Sequence, residues 1–309
     1  MKVFHYLILA LFAFSSCQNG KAQKERTAEK TQETLRFTLP EIPAMYAGLE
    51  QQAEFLVKHY WDNFDFTDTA CIHLPEITGQ IYAGFLDVAN HVSMESARDG
   101  MKRMMTHAEK DKKVFDHFVS LADKYLYDPN SLFRNEEFYI AILEKMMETD
   151  VLDDVEKSRP QYRLKLARKN RPGTKALDFT YTTPSGKQGA LYGLQAEYIL
   201  VYINNPGCHA CGEITEGLKQ SGVVQYLLSE KRMKILCIYP DEDPGEWEKH
   251  QDDFPSSWIN GYDKGAVIRG KDLYDLKAIP SLYLLDKNKT VLLKDATLPQ
   301  IEQMLNALN

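Results

Sequence analysis

The 309-residue chain is 44% apolar and 26% charged, long enough for two folded domains. Its formal charge of −7 and the lack of a basic patch interleaved with aromatics exclude an ordinary nucleic-acid binder. Its five cysteines are too few for a disulfide-dense scaffold.

Met1-Lys2 precede an apolar run, Val3 to Phe14 (VFHYLILALFAF). That run is too short to span a bilayer comfortably, so residues 1–16 read as a cleaved export signal. Phe14-Ser15-Ser16-Cys17 resembles a bacterial lipobox, with Phe14 where Leu is usual. The resemblance implies cleavage before Cys17 and lipidation of Cys17; ordinary secretion with an incidental Cys17 is the alternative. Residues 17–38 read as a lipid-anchored tether, because Gln18 to Thr34 holds no apolar residue larger than alanine. Such a stretch cannot offset its chain entropy by burial. About seventeen flexible residues give a reach of roughly 20–25 Å.

Residues 39–170 read as an all-α domain. Met45-Leu49-Gln52-Ala53-Leu56-Val57-Tyr60, Val114 to Tyr125 and Phe138 to Met146 follow three-four spacing. Ile81 to Val88, Ser93 to His107 and Val151 to Leu166 add further helical stretches, with breaks at Leu74-Pro75 and Asp128-Pro129-Asn130. Five to seven helices are expected. His59, His73, His91, His107 and His117 lack metal-ligand spacing, and Met94, Met101, Met104, Met105, Met146 and Met147 read as core filler rather than a soft-metal face. Cys71 reads as a small buried residue. Nothing here names a chemistry.

After Asn170-Arg171-Pro172-Gly173 the texture turns to β, and residues 171–309 read as a mixed-sheet α/β domain. Phe179 to Thr182 and Gln188 to Tyr192 suggest a hairpin; Tyr198 to Ile203 and Lys234 to Tyr239 read as strands. Glu246 to Asp253 is expected helical, Trp258 to Tyr262 extended, and Leu273 to Lys277 a short helix. Ser281 to Leu285 and Thr290 to Leu293 form a second hairpin, and a helix runs from Pro299 to Leu308.

Between the Tyr198–Ile203 strand and a helix lies Asn204-Asn205-Pro206-Gly207-Cys208-His209-Ala210-Cys211. In that context C-x-x-C reads as a dithiol/disulfide couple. A sulfur at a helix N-terminus faces unpaired N–H groups and the positive end of the macrodipole, which favours thiolate over thiol. Lowering a thiol pKa from about 8.5 to about 7 raises the thiolate fraction at neutral pH from roughly 3% to about half. Cys208 is then the attacking sulfur and Cys211, one turn on, the resolving one. Cys237 reads as a buried hydrophobe. Zinc at Cys208, His209 and Cys211 lacks a second pair of ligands.

Residues 174–309 resemble the thioredoxin-like domain of TlpA/ResA-type thiol–disulfide oxidoreductases, on three segments. These are Ala176-Leu177-Asp178-Phe179, Cys208-His209-Ala210-Cys211, and Ala278-Ile279-Pro280-Ser281-Leu282-Tyr283-Leu284-Leu285-Asp286. The resemblance implies a thioredoxin-like α/β C-terminal domain after the all-α N-terminal one. It makes Pro280 a cis-proline facing the two cysteines. Ile279 is similar to the apolar residue of reducing members, whereas His209 inside the motif argues for an oxidising or isomerising poise. Gly207 departs from the aromatic usual before the first cysteine. The family's buried acid falls at Tyr202 or Ile214, which leaves Glu213 and Glu216 as the nearest carboxylates for the Cys211 proton, although a solvated helix face is the favoured reading of both.

The favoured expectation is a lipid-anchored, periplasm-facing oxidoreductase that needs no cofactor. Its partners would be exported proteins with thiols or disulfides and a redox partner that resets the couple, in either the inner or the outer membrane. The main rival is a non-catalytic envelope binding protein with Cys208–Cys211 as a structural staple. A thiol peroxidase ranks last, since Asn205-Pro206-Gly207-Cys208 supplies neither hydroxyl nor cation.

Overall fold

A computed structural model describes residues 37–241 and 243–309. The expected export signal, Cys17 and the expected tether as far as residue 36 lie outside the described residues.

The helical portion comprises α1 (Leu49–His59), α2 (Ala70–His73), α3 (Pro75–Ala89), α4 (Met94–Ala108), α5 (Lys112–Ala122), α6 (Glu136–Glu148) and α7 (Asp154–Ala167). Pro75 at the first position of α3 explains the break at Leu74: the helix begins there, where the missing N–H costs nothing. Side-chain caps start the later helices, Asp111 for α5 and a reciprocal Asp153–Glu156 box for α7. The apolar faces meet around Trp61, which packs edge-on against Phe64, Phe85 and Phe118. Met101, Met104 and Met105 are fully buried in this core, and Cys71 with them, whereas Met94 is exposed.

The remainder is a sheet of seven strands in the order β2-β1-β5-β4-β3-β6-β7. These are β1 (Thr180–Thr182), β2 (Gln188–Ala190), β3 (Tyr198–Ile203), β4 (Met233–Tyr239), β5 (Ile259–Tyr262), β6 (Ser281–Asp286) and β7 (Val291–Leu293). The run β3-β4-β5 is parallel, and the outer pairs are antiparallel. Its helices are α8 (His209–Gln220), α9 (Gly222–Ser229), α10 (Pro244–Lys249), α11 (Val267–Gly270) and α12 (Leu298–Leu308). The mixed α/β architecture expected for the C-terminal part is present. None of the helices among the described residues is long and apolar enough to cross a membrane.

Two local expectations change. Leu273 to Lys277 is not helical; the short helix lies earlier, as α11. The Leu273 N–H closes back on Ile268 O at 2.8 Å, and the Asp275 carboxylate accepts the Lys277 N–H at 3.0 Å, a side-chain turn that competes with helix. The helix expected over Glu246 to Asp253 starts instead at Pro244 under an Asp243 cap and stops at Lys249, followed by a 3₁₀ turn over Gln251–Asp253. The helix after the cysteines also divides at Ser221-Gly222 into α8 and α9.

The described residues belong to one compact unit, and a cluster of charges joins helical portion to sheet. Lys277 Nζ lies 3.0 Å from Asp275, 3.4 Å from Asp295 and 3.5 Å from Glu136 at the start of α6. Lys294 bonds Glu136 at 2.5 Å, and Arg134 reaches Asp295 at 3.3 Å. Burial alone would lower the Lys277 pKa, but Asp295, Asp275 and Glu136 outweigh it and raise it. Removing the cation strands buried carboxylates, which is costly even where other partners remain. Lys277→Met is expected to destabilise the protein by about 3 kcal/mol, read as a lower denaturant midpoint at unchanged slope.

Candidate redox site

β3 is buried along its whole length, as suits a strand covered on both faces. The two-residue alternation sends Ile199, Val201 and Ile203 to one core and Tyr198, Leu200 and Tyr202 to the other, where Cys211 and Leu218 of α8 pack. At its end the chain turns through Asn205-Pro206-Gly207-Cys208. The Cys208 N–H returns to Asn205 O at 3.3 Å, and Gly207 has φ +70°. Pro second and a left-handed residue third make a type II turn, which requires glycine. A side chain at Gly207 would also come within 4.0 Å of His250 Nε2. This turn accounts for the absent aromatic before the first cysteine.

Cys208 is the N-cap of α8, its Sγ accepting the Cys211 N–H at 3.4 Å. It is half-buried, whereas Cys211 is 5% exposed, and the pair stands as a dithiol. Burial pushes the Cys211 thiol up to about 12, and the neighbouring Cys208 adds to the rise. The Asn205 N–H and the Tyr202 hydroxyl act the other way.

Register explains how Pro280 joins the site. Ile203, the last residue of β3, pairs with Ser281, the first of β6, so the Ile279-Pro280 bond lies at the same end of these strands as the turn. That bond is cis. Ser281 and Lys277, on either side of it, both bond Asp295.

His209, Glu213 and Glu216 line the same groove as Cys208, on its solvent side. His209 is 91% exposed with Nδ1 3.6 Å from Glu213, and Glu216 pairs with Lys219 at 2.8 Å. Both carboxylates lie on the solvated face of α8, and the group beneath Cys211 is Tyr202, its hydroxyl 2.6 Å from Cys211 O. Cys71 and Cys237 are fully buried and both thiols are raised by burial, Cys71 to about 11.

Beside Cys208 opens a groove of about 590 Å³, walled by Asn205, Trp247, His250 and Phe254. His250 bonds Asp253 through Nδ1 at 2.8 Å. Sequence reading passed over His250, for its only signal was one histidine in an acidic run. It also treated Tyr202 only as a missing acid, although the alternation of β3 and its spacing from the cysteines place it under α8.

Fold and dithiol together define a thioredoxin-like protein. Residues 16–170 match the family described as Domain of unknown function (DUF5106), and the chain belongs to that family. A thioredoxin-like protein from Bacteroides caccae is 56% identical, with TM-score 0.86, over 88% of this chain and 99% of that one. The C-terminal domain of an uncharacterized protein from Bacteroides fragilis is 63% identical over 44% of this chain and 98% of its own, with TM-score 0.44. The thioredoxin domain of a thiol-disulfide oxidoreductase from Bacteroides vulgatus is 18% identical over 45% and 97%, with TM-score 0.40. None of the curated proteins matches the chain.

Among the described residues Cys208 is the accessible sulfur and Cys71, Cys211 and Cys237 are buried, so iodoacetamide at neutral pH should label Cys208 first in reduced, folded residues 18–309. Mass spectrometry should find one adduct there, with Cys71, Cys211 and Cys237 modified only after denaturation.

Proposed function

We propose that this chain is a thiol–disulfide oxidoreductase of the cell envelope, facing the periplasm and held to the membrane by lipid on Cys17. The observation that supports it best is the half-buried Cys208 at the start of α8, beside a groove and one turn from a buried partner cysteine. Cys208 attacks a disulfide of an exported protein, forming a mixed disulfide and releasing one partner sulfur as a thiolate. Cys211 then attacks Cys208. The Cys208–Cys211 bond forms, the bond to the partner breaks, and the second partner sulfur leaves with the electron pair. The partner gains two electrons and this chain loses them; a separate dithiol donor returns them. The same steps run backwards in an oxidase, and the apolar Ile279 against His209 leaves the direction to the potential.

The deciding measurement is the reduction potential of the pair in residues 18–309, equilibrated in thiol redox buffers and read by alkylation mass spectrometry. The expected value lies between about −120 and −270 mV, the range of catalytic couples. Near −250 mV the protein is a reductase, near −130 mV an oxidase or isomerase. A pair still oxidised below about −300 mV is a structural staple, and the enzymatic reading falls. Cys208→Ser should abolish exchange, while Cys211→Ser should retain the attack and trap the mixed disulfide.

A further inference from the structure

The resolving cysteine is buried, and the groups that act most on it among the described residues include no carboxylate. Burial and the neighbouring Cys208 disfavour its thiolate, whereas the Asn205 N–H and the Tyr202 hydroxyl favour it. Tyr202 is fully buried in the centre of the sheet, edge-on to Phe254. Its hydroxyl lies 2.6 Å from Cys211 O and 3.2 Å from Thr215 Oγ1, under the first turn of α8. The titratable side chains acting on it are Cys211 from α8 and Cys237 from β4. Burial drives its phenol far above the ordinary value, so the hydroxyl stays protonated and keeps a proton to donate.

We propose that Tyr202 is a catalytic residue of the resolving step, its O–H turning from the Cys211 carbonyl to the Cys211 sulfur as the thiolate forms. The inference rests on the oxidoreductase reading. In the mixed disulfide the Cys211 S–H gives up its proton to water or to the departing partner sulfur. The thiolate that results is held by Tyr202 and by the Asn205 N–H, and its electron pair forms the bond to Cys208 while the Cys208–partner bond breaks. A neutral donor thus does by hydrogen bonding what a base would do by taking the proton. A buried bond to a charged acceptor is strong enough for its loss to be read kinetically.

Dithionitrobenzoate separates the two steps. The reduced protein releases one thionitrobenzoate when Cys208 attacks and a second when Cys211 resolves, so stopped-flow absorbance shows two phases. Tyr202→Phe should keep the first phase within about two-fold and slow the second about ten-fold at neutral pH. It should also move the pH midpoint of the second phase up by about one unit, the equivalent of ten-fold. A second phase with unchanged rate and midpoint overturns the proposal, as does equal slowing of both phases in a variant with wild-type circular dichroism. If Tyr202→Phe fails to fold, a ring-fluorinated tyrosine at position 202, a stronger donor of nearly the same shape, should lower the midpoint; an unmoved midpoint overturns the proposal. Loss of the first phase in the wild-type protein would instead sink the oxidoreductase reading itself.

Discussion

Much of this structure depends on the burial of β3 on both faces. A strand with no solvent side cannot slip by one residue without exchanging every side chain between two cores. A fully buried aliphatic contributes about 1.5–3 kcal/mol, so the register is firmly set. That register decides what lies under α8, where the type II turn begins, and which residue of β6 stands opposite its end. Cys208, Cys211, Tyr202 and Pro280 come together because one strand cannot move.

The second constraint is electrostatic. Arg134 and Glu136 come from the helical portion, and Asp275, Lys277, Lys294 and Asp295 from the segments around β6 and β7. Three cations meet three carboxylates where water is largely excluded, so each charge depends on the others for compensation. The cluster grips both flanks of Ile279-Pro280 through Lys277 and Ser281. A helical portion with no recognisable chemistry of its own therefore touches the segment beside the dithiol through bonded charges.

The fold was legible where the pattern was local. Runs of β-formers announced β3, β4 and the final hairpin, and the break expected at Leu74-Pro75 is where α3 begins, six residues before the helical stretch read at Ile81. The dithiol was legible because C-x-x-C after a strand has few other readings. Failures came where side chains compete with backbone. Asp275 captures the Lys277 N–H and prevents a helix that composition alone favours. Glu213 and Glu216 lie on the solvated face of α8, as favoured from sequence, while Tyr202, nine residues from Cys211, was read only as a missing acid and lies beneath it. His250 was illegible because a loop, with no periodicity to project it, carries it to the groove.

The charge cluster also bears on how such a chain can change over time. Residues 134 and 136 are separated from residues 275–295 by well over a hundred positions, yet each side neutralises the other. A charge reversal at either end leaves like charges facing each other in a water-poor seam, and only a matching reversal at the far end relieves it. The helical and redox portions are therefore bound to a shared inheritance: sequence drift in one is filtered through the other, and a helical portion transplanted from a distant relative must bring a compatible pattern of charge.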